Sequence, residues 1–102
     1  MMLLTAKNRK DLPELYAQDG KGDEAIAYVK FFNPCGSWTL YITEFDGEDT
    51  LFGLAVGGQI QFPTLDYSSL NEISNVRNRM GLGIERDRSF KPKTIGEIKA
   101  KL

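Results

Sequence analysis

Trp38-Thr39-Leu40-Tyr41-Ile42-Thr43-Glu44-Phe45 is the stretch that decides the fold class. Its side chains alternate in size and polarity with a period of two, the pattern of a strand whose two faces meet different surroundings. Trp38, Leu40 and Ile42 fall on one face, and Thr39, Tyr41, Thr43 and Phe45 on the other. The Asp46-Gly47 pair that follows is a type I′ hairpin signal, with Glu48 and Asp49 available to lengthen the loop. Beyond it, Thr50 to Val56 reads as a strand and Gly57-Gly58 as a second tight turn. Gln59 to Phe62 reads as a further strand that Pro63 ends or places at an edge. Upstream, Ala25 to Phe32 is rich in Tyr, Val, Ile and Phe, and Asn33-Pro34-Cys35-Gly36 supplies a turn. Three hairpin turns joining four strands predict an antiparallel meander.

Helical grammar flanks the meander. Thr5 is placed to cap a short helix through Leu12, with Pro13 as its boundary. Leu12, Leu15 and Tyr16 offer an apolar side at helical spacing, and Gln18 to Glu24 reads as an exposed loop. Ser69-Leu70-Asn71-Glu72 and Thr94-Ile95-Gly96-Glu97 both carry the spacing of a capping box. The first opens a helix with Leu70, Ile73 and Val76 inward, stopped at Gly81. The second opens a C-terminal helix with Ile95, Ile98 and Leu102 inward. Between them, Ile84 to Phe90 reads as a short extended segment. The expectation is one α+β domain over residues 1–102, a four-stranded antiparallel meander with N-terminal and C-terminal helices covering one sheet face.

Composition narrows the chemistry. The chain has 102 residues, one cysteine and no histidine, with 41% hydrophobic and 26% charged residues, as in ordinary globular domains. Without histidine, Cys–His and Ser–His catalysis are excluded for Cys35 and for Ser37, Ser68, Ser69, Ser74 and Ser89. A lone cysteine makes no disulfide within the chain, and no cofactor motif is present. Gly53, Gly57 and Gly58 lack the context of a phosphate loop. No apolar run approaches 20 residues, so no membrane contact is expected. Met1-Met2-Leu3-Leu4 runs straight into Lys7, Arg9, Lys10 and Asp11, which is the wrong order for a signal peptide. The expected compartment is a reducing cytoplasm.

Net charge is −1, but it is unevenly spread. Residues 1–76 hold five bases and eleven acids, or −6, and residues 77–102 hold eight bases and three acids, or +5. Such asymmetry points to a surface for nucleic acid or an acidic partner, with Arg77, Arg79, Arg86, Arg88, Lys91 and Lys93 as candidate binding residues. The competing expectation is internal: the basic end lies against the acidic part, Arg86 pairing with the hairpin. The densest carboxylates, Glu44, Asp46, Glu48 and Asp49, are candidates for a hard cation, which takes oxygen ligands. Their spacing is not that of an EF-hand loop, and a solvated turn is the commoner use of such residues. Tyr28, Phe31, Phe32, Trp38, Tyr41 and Phe52 place aromatics on both faces of the meander. A face left partly uncovered would mark a partner site or a dimer, so a monomer or a homodimer is expected.

Several blocks resemble a bacterial family in joint order. They are Leu3-Leu4-Thr5, Val29-Lys30-Phe31-Phe32-Asn33-Pro34, Thr43-Glu44-Phe45-Asp46-Gly47-Glu48-Asp49 and Phe52-Gly53-Leu54, followed by Tyr67-Ser68-Ser69-Leu70-Asn71-Glu72 and Gly81-Leu82-Gly83-Ile84-Glu85-Arg86-Asp87. Together they resemble a small domain-of-unknown-function family carried on plasmids, integrative elements and phages. The resemblance implies a mobile-element setting and no established activity. The chain departs from the family in having Arg88-Ser89 where Leu-His is usual, and Asp66 where glycine commonly precedes the tyrosine.

The leading expectation is therefore a non-catalytic accessory protein of a mobile element, binding a host protein or nucleoprotein stoichiometrically. An anti-CRISPR or anti-restriction inhibitor is its most concrete form. The alternative is a small nucleic-acid-binding module using the basic C-terminal segment. A carboxylate-metal hydrolase centred on Glu44, Asp46, Glu48 and Asp49 comes third.

Overall fold

Thr5, Ser69 and Thr94 each begin a helix, as their spacing predicts. The computed structural model describes residues 3–34, 36–58, 62–77 and 81–102, so Cys35, Arg79 and most of the expected strand at 59–62 lie outside the described residues. The elements are α1 (Ala6–Asp11), a 3-10 turn (Gly22–Glu24), β1 (Ile26–Ala27), β2 (Val29–Phe32), β3 (Thr39–Phe45), β4 (Thr50–Val56), β5 (Thr64–Ser69), α2 (Leu70–Asn75), β6 (Glu85–Arg86), β7 (Lys93–Thr94) and α3 (Ile95–Ala100). Thr5 and Asn8 exchange side-chain and backbone bonds at the start of α1, both 3.0 Å. Thr94 and Glu97 do the same at the start of α3. At α2 the Ser69 hydroxyl accepts the Glu72 N–H at 3.2 Å. These caps satisfy N–H groups that a helix cannot satisfy internally.

The sheet is larger than a four-stranded meander. Five antiparallel strands run in the order β5-β4-β3-β2-β6, and β1 pairs separately with β7. The segment read as one strand from Ala25 is divided at Tyr28, whose N–H bonds Ile42 O, while Ile26 and Ala27 turn to meet Thr94 and Lys93. The β5 strand was hidden by its composition. Thr64-Leu65-Asp66-Tyr67 is exposed throughout, so no buried face marks it as a strand.

A register shift between Ile42 and Glu44 corrects the reading of β3. The bulge adds one residue on this strand, so side chains beyond it change face. Phe45, expected opposite Leu40 and Ile42, instead joins them in one cluster with Leu3, Leu4, Leu12, Val29, Phe31, Leu51, Leu70, Ile73 and Ile84. The second cluster, Ala25, Ala27, Leu54, Ile95 and Ile98, packs with Tyr41, Val56 and Phe90 on the opposite face. The helices therefore do not cover one face alone: the N-terminal segment and α2 close one side, and α3 closes part of the other. Ile95 and Ile98 are inward as expected, and Leu102 is exposed. Burying such an aliphatic side chain contributes roughly 1.5–3 kcal/mol, which fixes α3 where it lies.

Candidate functional site

The α3 helix stops short of one corner of its sheet face. There the pairs Phe52–Tyr67 and Leu54–Leu65 bring the β4 and β5 side chains together, and the turn around Tyr16 forms the rim. The result is a cavity of about 420 Å³ lined by Tyr16, Gln18, Asp19, Phe52, Leu65 and Tyr67, with Thr43 and Glu44 beneath. Tyr16 is 66% exposed, Tyr67 49% and Leu65 38%. The Phe52 and Tyr67 rings stand 4.9 Å apart at a tilt of 57°. Side by side, these exposed rings and Leu65 offer a contact surface with an apolar body and polar hydroxyl tips.

The rim is held by polar bonds from below. Glu44, 4% exposed, accepts the Tyr16 N–H on Oε1 and the Gln18 N–H on Oε2, both at 2.8 Å. Gln18 is buried as well, and its amide works as a short length of strand. Nε2 donates to Ile26 O and Thr43 O at 2.9 Å, and Oε1 accepts the Ile26 N–H at 2.6 Å. Tyr16 sits at φ 72°, the one non-glycine residue with positive φ among those described. For a bulky side chain this conformation is strained, and it persists because Glu44 ties down the N–H.

Electrostatics set the character of the cavity. Hydrogen bonding with the Tyr16 side chain holds the Tyr67 phenol above its ordinary 10.0, with partial burial and the charges of Glu44 and Asp19 acting in the same direction. A phenol pushed upward stays protonated near neutrality, so it donates hydrogen bonds and is not an activated base. Among the described residues no lysine or arginine lines the cavity. At the strand edge, Asp66 Oδ1 accepts the Tyr67 N–H at 2.8 Å, guarding an edge strand against indiscriminate pairing.

The acidic hairpin residues are not gathered on one point. Glu44 supports the Tyr16 turn. Asp46 Oδ1 accepts the N–H groups of Glu48, Asp49 and Thr50 at 2.8, 2.8 and 3.0 Å. The bonds to Glu48 and Asp49 are the main reason its carboxyl is held below its ordinary 3.8. Asp49 accepts Ser69 Oγ–H and the Asn71 N–H, both at 2.7 Å, binding the hairpin to the start of α2. Among the described residues no group of three or more His, Cys, Asp or Glu could hold a metal ion.

The basic candidates are likewise dispersed. Arg77 bonds the carbonyls of Ser74 and Val76. Arg86 does not reach the acidic hairpin: its Nη1 donates to Leu3 O at 2.7 Å and fastens the N-terminal segment. Arg88 lines a shallow surface with Tyr28 and Phe90. Lys91 and Lys93 do converge, with Lys30 and Lys101, on a cavity of about 300 Å³ beside Tyr41 and Phe90. Arg79 lies outside the described residues.

Tyr16, Gln18, Leu65 and Tyr67 were absent from the residues singled out for binding. Leu65 and Tyr67 alternate behind Pro63, a faint strand signal; nothing local marks Tyr16 or Gln18. Of the blocks that carry the resemblance, those holding Thr43, Glu44, Phe52 and Tyr67 contribute to the lining of this site.

The chain belongs to the family described as Protein of unknown function (DUF2958). The family model matches residues 3–97, which takes in the first cluster, the second cluster apart from Ile98, the aromatic corner and the capping box of α3. No curated protein and no solved structure matches this DUF2958 member. Among the described residues no helix is long and apolar enough to cross a membrane.

Proposed function

We propose that this chain is a non-catalytic accessory protein of a bacterial mobile genetic element, acting in the cytoplasm by stoichiometric binding to a host protein or nucleoprotein. An anti-defence inhibitor, directed at a CRISPR or restriction effector, is its most concrete form. The observation that carries the reading is the exposed corner of Tyr16, Leu65 and Tyr67, an aromatic surface beside a hairpin whose carboxylates Glu44, Asp46 and Asp49 are engaged with backbone donors. The mobile-element setting rests on the order of the sequence blocks.

The test compares wild type with the double variant Tyr16→Ser/Tyr67→Ser in nuclease-treated bacterial lysate. The reading expects one partner at fixed stoichiometry with wild type, lost with the variant, and protection of a phage targeted by a CRISPR or restriction system. Equal capture by both proteins, or no reproducible partner and no protection, overturns it.

A second reading, nucleic-acid binding, is supported by the groove of Lys30, Lys91, Lys93 and Lys101 beside Tyr41 and Phe90. The rings stand 5.9 Å apart, with Lys30 Nζ 5.7 Å from the Tyr41 centroid and Lys93 Nζ 5.4 Å from that of Phe90. Cations beside aromatic rings suit single-stranded nucleic acid. Lys30 also pairs with Asp87 at 3.7 Å, which lowers the positive charge on offer. No binding of mixed-sequence single-stranded DNA at low salt would remove this reading, because phosphate contacts are strongest there.

A further inference from the structure

The aromatic corner has a chemistry of its own that narrows what it can receive. Three rings, Tyr16, Phe52 and Tyr67, share its lining with two carboxylates, Asp19 and Glu44, and, among the described residues, with no basic side chain. Asp19 is exposed, and among the described residues its carboxylate has no hydrogen bond or ion pair. Glu44 uses one bond on each oxygen and lies beneath the rings. Aromatic faces attract cations through their quadrupoles, and adjacent carboxylates add a Coulombic attraction. A volume of about 420 Å³ is near the lower end of the roughly 300–1,000 Å³ range of small-ligand sites, suited to one long side chain.

We propose that this cavity receives a single cationic side chain, a lysine or arginine, presented by the partner protein. The inference rests on the protein-binding reading above and names the chemistry that the partner offers. Charge complementarity selects this occupant: an anion would face Asp19 and Glu44, and a neutral apolar side chain would bury against Asp19 without compensation.

The experiment titrates the full chain with N-acetyl-arginine amide and N-acetyl-lysine amide, following backbone amide shifts by NMR. N-acetyl-citrulline amide serves as the neutral control. The proposal expects saturable shifts at Tyr16, Asp19, Gly20 and Tyr67 for one or both cations, in the millimolar range, and none of comparable size for citrulline. The arginine and lysine arms tell the two side chains apart. Asp19→Asn, on an exposed turn, should weaken the cation response about fivefold with the melting temperature unchanged. Equal response to citrulline, shifts elsewhere than the cavity, or an unaltered response in Asp19→Asn overturns the proposal. If Tyr16→Ser/Tyr67→Ser abolishes partner capture while the cation titrations stay blank, the binding surface stands and the cationic occupant falls. If the cations bind the cavity but partner capture survives the double variant, the partner does not use this cavity and both readings fall.

Discussion

Glu44 holds Tyr16 in a left-handed conformation: its Oε1 lies 2.8 Å from the Tyr16 N–H, and the Tyr16 φ is 72°. A buried acid on a central strand thereby fixes an exposed aromatic ring at the rim of the cavity. The two residues pull stability in opposite directions, which separates their roles by measurement.

Replacing Tyr16 by asparagine should stabilise the fold. Asparagine tolerates the left-handed region, where another L-residue loses roughly 1–2 kcal/mol, and the exposed ring contributes little burial. A gain of about 1 kcal/mol is expected in thermal unfolding, together with loss of partner capture. A residue that lowers stability yet is required for binding marks a functional position.

Glu44→Gln should do the reverse. The amide keeps one acceptor but turns an NH₂ toward either the Tyr16 or the Gln18 N–H, leaving a buried donor facing a donor. A loss of about 2 kcal/mol is expected, read as a lower urea midpoint with an unchanged slope.

Asp46 links the hairpin to pH. Its folded carboxyl is held below 3.8, chiefly by the N–H groups of Glu48 and Asp49. A depressed folded value means that the contribution is present in full above pH 3.8 and is lost as pH falls through the lower folded value. Asp46→Ala should therefore melt below wild type at neutral pH, and the gap should narrow in acid melts taken below pH 3.8.

Gly53→Ala should be poorly tolerated. A Cβ at this position would lie 2.0 Å from Tyr41 O, on the neighbouring strand beside the bulge. Because the contact is with backbone, the strands must part. A destabilisation of about 3 kcal/mol is expected in denaturant melts.

The parts of this fold legible in the sequence are those decided within a few residues. Thr5, Ser69 and Thr94 announce their helices because a cap needs only a side-chain oxygen and an N–H three residues on. Leu40 and Ile42 announce the core face of β3 because alternation is local. The bulge after Ile42 depends on how β3 meets β4, so alternation along β3 alone does not place Phe45 on the Leu40 and Ile42 face. Glu44 looked like a hairpin-tip acid and proved to be buried, because its partners Tyr16 and Gln18 lie 28 and 26 residues upstream. Arg86 had a foreseeable structural role but an unforeseeable partner, the Leu3 carbonyl 83 residues away. The aromatic corner escaped notice for the same reason: it is assembled by tertiary contacts between a turn and an edge strand.

The pairing of Ile26 with Thr94 also orders events in time. During synthesis the β2–β3–β4–β5 hairpins can close as soon as each turn leaves the ribosome. The second cluster cannot close until Ile95 and Ile98 emerge. Until then Leu54 and Ala27 have no cover, and a nascent chain presents an apolar sheet face to its surroundings. The time needed to synthesise the residues between β4 and α3 therefore sets the interval during which this face is open to chaperones and proteases.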